Sequence, residues 1–302
     1  MKKEGKTLRL KDFLETNEDN IPFHLDVALE NVMDGNKGST IAHLDDLFYE
    51  VFQSIPVISE ERTLFRFTGF KTPKKNEKWN ADDDYTIQDI KNRTISFAAP
   101  KFFNDPMDPL IKAWAEWRKI HYEDKVDRAL YKLINEVLDR IRICCLVDPL
   151  RNGKKSKQLP IERCSPLMWA HYANNHKGVC IQYRVKPENM IDNGVAVVRL
   201  LDVDYDKLFP LDGNIPFIDS LCVKGDFWRY ENETRLLMYV RGNTDGHIHK
   251  KGYEIEAVYM GRRIEKDKRD CLRNLLRGSD IKLYQMDFSV NDITKLEAHE
   301  IY

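Results

Sequence analysis

The sequence has no long apolar run, no excess of either charge and no internal repeat. None of its apolar stretches approaches the roughly 20 residues that a transmembrane helix needs, so we expect no membrane span. Its 48 basic and 49 acidic residues give a formal net charge of −1, which predicts no overall attraction to nucleic acid or to a membrane surface. The basic start of the chain is not followed by an apolar segment, so we expect no secretory signal peptide.

Paired metal-ligand spacing is also missing. The 6 cysteines include no CxxC pair, and no cysteine and histidine stand at the spacing typical of zinc ligands, so we expect no metal site. Most of the cysteines lie in apolar runs such as RICCLV and GVCIQY, where a free thiol behaves as a small buried side chain. These features are typical of a protein of the reducing cytoplasm.

Apolar and aromatic residues are plentiful enough for a large core. Of the 302 residues 42% are hydrophobic, and these include 14 Phe, 13 Tyr and 5 Trp. We predict two units, an N-terminal helical extension over residues 1–60 and an α+β domain over residues 61–302. In the extension, Ser39–Gln53 places apolar side chains from Ile41 to Val51 on one face, which predicts an amphipathic helix.

Residues 61–302 combine strand and helix patterns in irregular order. Helical spacing predicts helices over Asp124–Arg140 and Glu265–Leu276, and Ser165 followed by proline predicts the start of another. The predicted strands are Leu64–Thr68, Thr94–Ala98, Ile141–Val147, Val179–Val185, Val195–Leu201, Thr234–Val240, Ile255–Met260 and Ile281–Met286. This mixture favours the α+β class, with a curved, mainly antiparallel sheet, flanking helices and the N-terminal helical extension.

The first polar motif, FFNDPMDP, follows a predicted strand. Asn104 and Asp105 precede a proline, so their side chains can accept hydrogen bonds from nearby backbone amides in a turn. Two interpretations stay open. The motif is a rigid loop that presents Asn104, Asp105 or Asp108 to a ligand, or it is a turn that caps the helix containing Trp114 and Trp117.

The second motif, PLMWAHYANNHKG, combines aromatic and polar side chains on a helix predicted to end near Gly178. On a helix Trp169 and Tyr172 can share one face, which is typical of side chains packed under a sheet. His171 and His176 are five residues apart, so they do not stack as a pair of metal ligands would. Each is a candidate hydrogen-bond donor to a phosphate or a general base near neutral pH, and the alternative for each is a structural role.

The third motif, WRYENETR, leads into the apolar strand LLMYV. If the strand begins at Tyr230, the side chains of Glu231, Glu233 and Arg235 alternate onto one face. One interpretation is a ladder of paired charges on a solvated strand end. The other is that Arg235 or Arg66 holds one carboxylate while the second carboxylate faces a substrate.

Together these motifs resemble the bacterial family known as domain of unknown function 2971. The matching features are Phe65-Arg66 on a strand, FFNDPMD, MWAHYANNHKGVC, WRYENETR and a strand that ends in YMGR, in this order along the chain. Residues 1–60 fall outside the resemblance, and Lys71–Asp84 is interpreted as a variable insertion. Some members resemble abortive-infection and antiphage proteins, so the resemblance implies a role in bacterial defence.

A second likeness concerns the order of polar residues on the strands. Arg66 and Ser96 on early strands, followed by the Glu-x-Glu of WRYENETR, are similar to the Arg, Ser and Glu-x-Glu elements of the ADP-ribosyltransferase fold. The likeness implies an enzyme that cleaves NAD, in which Glu233 is the catalytic carboxylate, Glu231 orients the acceptor and Arg66 binds the pyrophosphate. Ser96 would support Glu233, and Tyr172 would stack on nicotinamide. In TISFA, however, the serine lacks the Thr-Ser that usually follows it in that fold.

The candidate site residues divide into two groups under this hypothesis. The catalytic candidates are Glu233, Glu231 and His171. The ligand-binding candidates are Arg66, Ser96, Tyr172, Asn104, Asp105, His176 and Arg235.

The alternative hypothesis is a non-catalytic sensor, in which the same cleft binds a nucleotide, a peptide or a phage component. The N-terminal helices and the lysine-rich loops KKNEK and RNGKKSKQ would then contact a protein or nucleic-acid partner. A nucleotide that stabilises the fold without being turned over would favour this hypothesis. A nuclease is a weaker third hypothesis, because metal-free RNA cleavage would rest on His171 and His176 alone.

Overall fold

The computed structural model describes residues 37–103, 105–122, 125–151, 159–206, 217–242 and 246–302. The helices in these ranges are α1 (Lys37–Ser54), α2 (Tyr85–Asn92), α3 (Leu110–Tyr122), α4 (Lys125–Leu138), α5 (Pro166–His171), α6 (Phe217–Ser220) and α7 (Lys266–Leu276). The strands are β1 (Arg62–Thr68), β2 (Thr94–Phe97), β3 (Ile141–Val147), β4 (Val179–Val185), β5 (Ala196–Asp202), β6 (Glu233–Val240), β7 (Ile248–Lys251), β8 (Glu254–Met260), β9 (Lys282–Phe288) and β10 (Leu296–Glu300).

Eight of these strands form one mixed, mainly antiparallel sheet in the order β10-β9-β8-β4-β1-β3-β6-β5. Strands β8 and β9 run parallel to each other, and β2 and β7 form a separate antiparallel pair. The predicted α+β class with a mainly antiparallel sheet is confirmed. The predicted set lacks β7 and β10, because their sequences, IHKK and LEAHE, do not show the apolar alternation of a half-buried strand.

Apolar clusters cover both faces of the sheet. On one face α1, α3 and α4 pack against β3, β5 and β6 in a core that includes Phe52, Ile143 and Tyr239. The opposite face carries α2, α7 and β2, packed over residues such as Leu64. A third cluster surrounds Trp169 and covers part of β1, β4, β8 and β9.

Helix α1 corresponds to the helix predicted over Ser39–Gln53. Phe48 and Phe52 are buried, and the Phe48 ring lies 4.8 Å from that of Phe217 in α6. The helix therefore shares the main core with β5 and β6. Residues 1–36 lie outside the described residues, so the division of the chain at residue 60 stays a prediction.

Strands β1 and β3 are neighbours in the sheet but separate along most of their length. Phe65 with Val147 is the one register pair between them in the described part of the chain, whereas β1 pairs with β4 over all of Arg62–Thr68. Nearer the start of β3, the backbone of Ile143 pairs with Ala98 instead of with β1, through two hydrogen bonds (2.9 and 2.8 Å). The two strands therefore enclose a cleft in the middle of the sheet.

Arg62 connects the strands on either side of this cleft at one of its ends. From the start of β1 its Nη2 donates to Asp148 Oδ2 (2.5 Å), just beyond β3. The same nitrogen donates to Asp202 Oδ1 of β5 (2.7 Å) and to Thr234 Oγ1 of β6 (3.2 Å). One side chain thus connects four strands close to the single backbone pair.

Helix α5 is shorter than predicted. Ser165 caps it as predicted, with its Oγ accepting a hydrogen bond from a backbone amide in the first turn. The helix ends at His171, and Asn174–His176 follow with φ values of 46°, 53° and 66°, a left-handed conformation that asparagine tolerates better than most residues. A Cβ at Gly178 would lie 2.2 Å from the carbonyl oxygen of Thr68, so the turn approaches β1 too closely for any side chain there.

Candidate functional site

The cleft between β1 and β3 contains a cavity of about 280 Å³, which we call the first cavity. This volume lies near the lower end of the roughly 300–1,000 Å³ of small-molecule sites, and it suits a ligand the size of a nucleoside. Aromatic side chains form one part of its wall: Phe65, Phe67, Phe102 and Phe103. Polar side chains form another part: Asp105, Asp108, Tyr172, Lys224, Glu231 and Glu233.

Arg235 lies behind the polar wall and holds two carboxylates. Its side chain is 0% exposed, and its two terminal nitrogens donate to the two oxygens of Asp108 at 2.7 and 2.6 Å. Its Nε donates to Glu233 Oε1 at 2.7 Å. Glu233 and Arg235 are two residues apart on β6 and therefore project from the same face. Their contact orients the Glu233 carboxylate, as one of the two sequence interpretations requires.

Lys224 bridges the carboxylates from the other side. Its Nζ donates to Glu231 Oε2 (2.7 Å) and to Glu233 Oε2 (3.1 Å), and it lies 3.7 Å from Asp108 Oδ2. The same ammonium lies 5.0 Å from the ring centre of Trp228, a cation–π distance. Lys224 is absent from the predicted site because, although it precedes WRYENETR by only four residues, it follows an apolar stretch and belongs to none of the three motifs. We call Asp108, Lys224, Glu231, Glu233 and Arg235 the polar cluster.

The strand predicted over Thr234–Val240 is present as β6, but the condition that it begins at Tyr230 does not hold. Asp226–Glu231 forms a 3₁₀-helix, Asn232 has a φ of 44°, and β6 begins at Glu233. Glu231 therefore reaches the cavity from the end of a helical turn, and not from the face of a strand. The two glutamates nevertheless meet, because both contact the ammonium of Lys224.

The polar cluster contains three carboxylates and two cations, so one negative charge is left over when all are ionised. Burial alone would raise the pKa of Glu233, but Arg235 and Lys224 outweigh burial and lower that pKa to about 2. For Glu231 burial dominates and raises the pKa, Lys224 lowers it, and the charge of Glu233 raises it again. Two adjacent carboxyl groups with opposite pKa shifts are typical of an acid–base pair in an active site.

Tyr172 and His171 occupy different positions around the first cavity. The Tyr172 hydroxyl donates to Glu231 Oε1 at 2.6 Å, and burial raises the pKa of that hydroxyl well above its usual value. His171 is exposed and does not line the cavity. Its ring lies 6.4 Å from the rings of both Trp228 and Tyr230. His171 therefore belongs to an aromatic group, outside the first cavity, whose other members lie close to Glu231 in the chain.

Cys145 is the exception among the cysteines in apolar runs. It lies on β3 opposite Arg235, lines the first cavity and has an exposed side chain. Protein atoms around the sulfur desolvate it, and this desolvation together with the negative charge of Glu233 raises the pKa of the thiol well above the usual value. A thiol with a raised pKa is a poor nucleophile, so we assign Cys145 to the wall of the cavity.

Arg66 lies between the first cavity and a second cavity of about 330 Å³, and it lines both. On β1 it projects to the face opposite that of Phe65 and Phe67. No ion pair joins it to Glu233 in the described residues. The nearest carboxylate in that part of the chain is Asp89, at 3.7 Å, which is beyond normal hydrogen-bond distance.

Ser96 belongs to the second cavity and not to the polar cluster. Its Oγ donates to Asp89 and lies 3.0 Å from His249 Nδ1. Asp89 Oδ1 also contacts His249 Nδ1, at 2.7 Å, and accepts a hydrogen bond from Thr94. A Ser-His-Asp triad uses both ring nitrogens of the histidine, whereas here serine and aspartate share one. The predicted support of Glu233 by Ser96 is therefore not observed, and Ser96 holds Asp89 in place.

The remaining predicted residues have structural positions or lie outside the described residues. His176 stacks on Trp169 with ring centres 6.4 Å apart, and burial lowers the pKa of its imidazole. Asp105 lines the first cavity, but its Oδ1 accepts a hydrogen bond from the amide of Met107 (2.8 Å), as in the predicted turn. Asn104 lies outside the described residues.

Membrane helices and metal-ligand groups are absent from the described ranges. None of the helices there combines the length and the apolar composition that crossing a membrane requires. In the same ranges, no three His, Cys, Asp or Glu side chains are grouped as ligands of one metal ion.

Comparison with known proteins gives one partial match. Residues 168–236 match a protein-family model. The matched family is DUF2971, a protein family of unknown function. This match supports the resemblance that the motifs indicate, over that part of the chain. No curated protein and no solved structure matches the sequence.

The segment that matches DUF2971 contains five of the eighteen residues that line the first cavity. Met168, Tyr172, Lys224, Glu231 and Glu233 all lie within it. It extends from α5 through β4 and β5 to the start of β6. The aromatic wall comes from parts of the chain outside the match, so the cavity is complete only in the folded domain.

Proposed function

We propose that the protein cleaves the N-glycosidic bond between nicotinamide and ribose in NAD, and that the first cavity is its active site. The observation that carries this proposal is the pair Glu231 and Glu233. Both carboxylates contact one lysine, both line the cavity, and their pKa values are shifted in opposite directions. Cleavage of a glycosidic bond uses two carboxyl groups in two different roles.

Glu233 has the properties of the carboxylate that stabilises the reacting sugar. Breaking the bond to nicotinamide places positive charge on the ribose ring, and a fixed negative charge nearby lowers the energy of that state. Arg235 and Lys224 keep Glu233 ionised over the whole physiological pH range, because its pKa is about 2. Arg235 also fixes the orientation of the carboxylate through Oε1.

Glu231 has the properties of the general base. Its raised pKa brings it closer to neutrality, where a base both accepts a proton readily and is ionised. In the proposed step, nicotinamide leaves as a neutral molecule with the electron pair of the broken bond. The oxygen of water or of an acceptor hydroxyl bonds to the anomeric carbon, and its proton passes to Glu231.

The walls of the first cavity suit the two parts of such a substrate. The phenylalanine side chains offer flat apolar surfaces for a nicotinamide ring, and Arg66 borders the cavity as a cation for the phosphates. The volume of about 280 Å³ accommodates the nicotinamide riboside half and not the whole dinucleotide. The half-buried rings of Trp228 and Tyr230, close to Glu231 in the chain, would receive the acceptor in an ADP-ribosyl transfer. Removal of NAD from an infected cell would agree with the antiphage role that the resemblance implies.

A second candidate function is nucleotide binding without catalysis, as in a sensor. The observation that favours it is the complete pairing of the two catalytic candidates. Glu231 already accepts hydrogen bonds from Tyr172 and Lys224, and Glu233 from Arg235 and Lys224. A ligand must compete with these partners to reach the carboxylates, which slows chemistry more than it hinders binding.

Release of labelled nicotinamide from NAD by the purified protein tests the proposal. We expect turnover by the wild type and a loss of at least about 100-fold in Glu233→Gln and Glu231→Gln, the typical contribution of a positioned acid or base. Glu188→Gln, in an exposed turn before β5, is the matched control and should retain activity.

A thermal-unfolding measurement with NAD, made beside the release assay, separates the two functions. Thermal stabilisation by NAD without release of nicotinamide would favour the sensor. The enzymatic proposal fails if NAD is not consumed in the presence of cell extract or phage-infected extract as a source of acceptors. It also fails if both glutamine variants consume NAD at the wild-type rate.

A further inference from the structure

The second cavity combines an arginine that has free hydrogen-bonding capacity with exposed planar rings. It lies beside the first cavity and is lined by Arg66, Lys71, Tyr85, Asp89, Ser96, His247 and His249 among others. We propose that this cavity binds a nucleoside monophosphate, with the phosphate on Arg66 and the base stacked on Tyr85 and His247.

Arg66 is the anion contact. Its side chain is 21% exposed, and the exposed part faces the cavities. In the described residues its guanidinium has a carboxylate at 3.7 Å and no hydrogen bond. A cation placed so deep is stable when a ligand or water supplies the missing acceptors. The planar guanidinium fits two oxygens of one phosphate group.

The acidic residues of the second cavity do not block a phosphate, because both are saturated by the protein. Asp84 accepts hydrogen bonds from Lys71 N (2.7 Å), Trp79 Nε1 (2.8 Å), Thr86 N (2.9 Å) and Ile87 N (3.2 Å). Asp89 accepts from Thr94, Ser96 and His249. These bonds spread the carboxylate charges over many donors, whereas Arg66 keeps its donors for a ligand.

A row of stacked rings lies at the mouth of the second cavity. Tyr85 is 64% exposed, and its ring lies 6.3 Å from His247 at an interplanar angle of 23° and 6.0 Å from His249 at 29°. His247 in turn stacks on Phe102, 5.0 Å away at 16°. An exposed tyrosine kept parallel to its neighbours is a surface on which a nucleobase stacks without sequence-specific contacts.

The two cavities are suitably placed for the two halves of a dinucleotide. Arg66 borders both, and Phe102 of the first cavity contacts His247 of the second. If the AMP half of NAD occupies the second cavity, the pyrophosphate lies at Arg66 and the nicotinamide riboside half enters the first cavity. This use of the second cavity for NAD rests on the proposed function, whereas the binding of a nucleoside monophosphate does not.

Calorimetric titration with AMP, adenosine and inorganic phosphate tests the proposal. We expect AMP to bind the wild type at least ten times more tightly than either fragment, because it alone contacts both Arg66 and the rings. Arg66→Gln should weaken AMP binding at least tenfold, and Tyr85→Ala about fivefold. Arg93→Gln and Tyr302→Ala change exposed residues of the same types elsewhere and should leave binding unchanged.

The outcomes separate this proposal from the proposed function. Because Tyr85 is exposed, Tyr85→Ala folds even if Arg66→Gln does not, so the test does not depend on one variant. No binding of AMP by the wild type at millimolar concentration overturns the proposal, as does unchanged binding in Tyr85→Ala. Loss of AMP binding in Glu233→Gln would place AMP in the first cavity and overturns it as well. AMP binding without NAD cleavage contradicts only the proposed function.

Discussion

Glu231 and Glu233 provide a matched pair of substitutions, because glutamine replaces each carboxylate with a neutral group of the same shape. At pH 7 we expect Glu233→Gln to lower the free energy of unfolding by about 3 to 4 kcal/mol. The pKa of Glu233 falls from 4.5 to about 2 on folding, and each pKa unit corresponds to about 1.4 kcal/mol. For Glu231→Gln we expect a loss of about 1 kcal/mol, the net value of one exchanged hydrogen bond, because burial already disfavours its charge.

The two substitutions also differ in their pH dependence. The folded pKa of Glu233 is lower than its unfolded pKa, so its ionisation stabilises the fold above about pH 4.5. That stability disappears as the pH falls through about 2, and the linkage relation leaves about 40% of it at pH 3. Glu231 has the opposite sign: its folded pKa is raised, so its contribution is complete below the unfolded pKa and disappears as the pH rises through the folded pKa. The cost of Glu231→Gln should therefore decrease as the pH rises.

Urea unfolding followed by tryptophan fluorescence at pH 7, 5 and 3 measures both effects, with Glu188→Gln as the exposed control. The electrostatic reasoning is refuted if Glu231→Gln costs more than Glu233→Gln at pH 7. It is also refuted if the cost of Glu233→Gln at pH 3 equals its cost at pH 7. The comparison is valid when the slope of unfolding free energy against urea concentration is the same for all variants, because equal slopes indicate that the same surface is exposed on unfolding.

Two further predictions concern packing and catalysis. Gly178→Ala places a Cβ 2.2 Å from the Thr68 carbonyl oxygen and should lower the free energy of unfolding by at least about 2 kcal/mol. Gly69→Ala meets a side-chain atom at 3.2 Å and should cost less than half as much in the same urea titration; equal costs would contradict the backbone clash. Tyr172→Phe removes a hydrogen bond that lowers the pKa of Glu231, so the acidic limb of the pH–rate profile for NAD cleavage should move to higher pH. An unchanged limb would show that Glu231 is not the general base.

Strands with continuous apolar sequence could be predicted closely. The bounds of β3 and β4 agree with the predicted residues, because IRICCLV and VCIQYRV are buried on both faces or nearly so. Short polar strands such as β7 could not be found, since their hydrogen bonds to β2 depend on a partner distant in the chain. Local pattern determines the first kind of strand, and tertiary pairing determines the second.

The polar cluster could be predicted only in part. Alternation along a strand correctly places Glu233 and Arg235 on one face, but nothing in YEN shows that Asn232 adopts a left-handed conformation and ends a 3₁₀-helix. Lys224 follows the apolar stretch LCV and carries no local signal of its role. Its contacts with three carboxylates arise from a turn of the chain, which sequence spacing does not encode.

Arg66 and Ser96 lie away from Glu233, although all three are predicted to share one site, and the cause is a different one. Alternation shows that Phe65 and Arg66 point to opposite faces, but it does not show which face of β1 corresponds to which face of β6. That relation depends on the register through Val147, which is opposite both Phe65 and Glu233. Residues from several strands can therefore be assigned to one site by order along the chain and still lie on two sides of the sheet.

The single backbone pair between β1 and β3 has a mechanical consequence. It divides the sheet into a block of five strands, β10-β9-β8-β4-β1, and a block of three, β3-β6-β5. A ligand in the cleft touches both blocks and adds bonds where the backbone has few. Ligand binding therefore stabilises the domain against separation of the two blocks. The amide protons of β1 and of β3 should both exchange more slowly in the bound protein than in the free protein. The central sheet, usually the most rigid part of a domain, is here the part whose stiffness depends on occupancy.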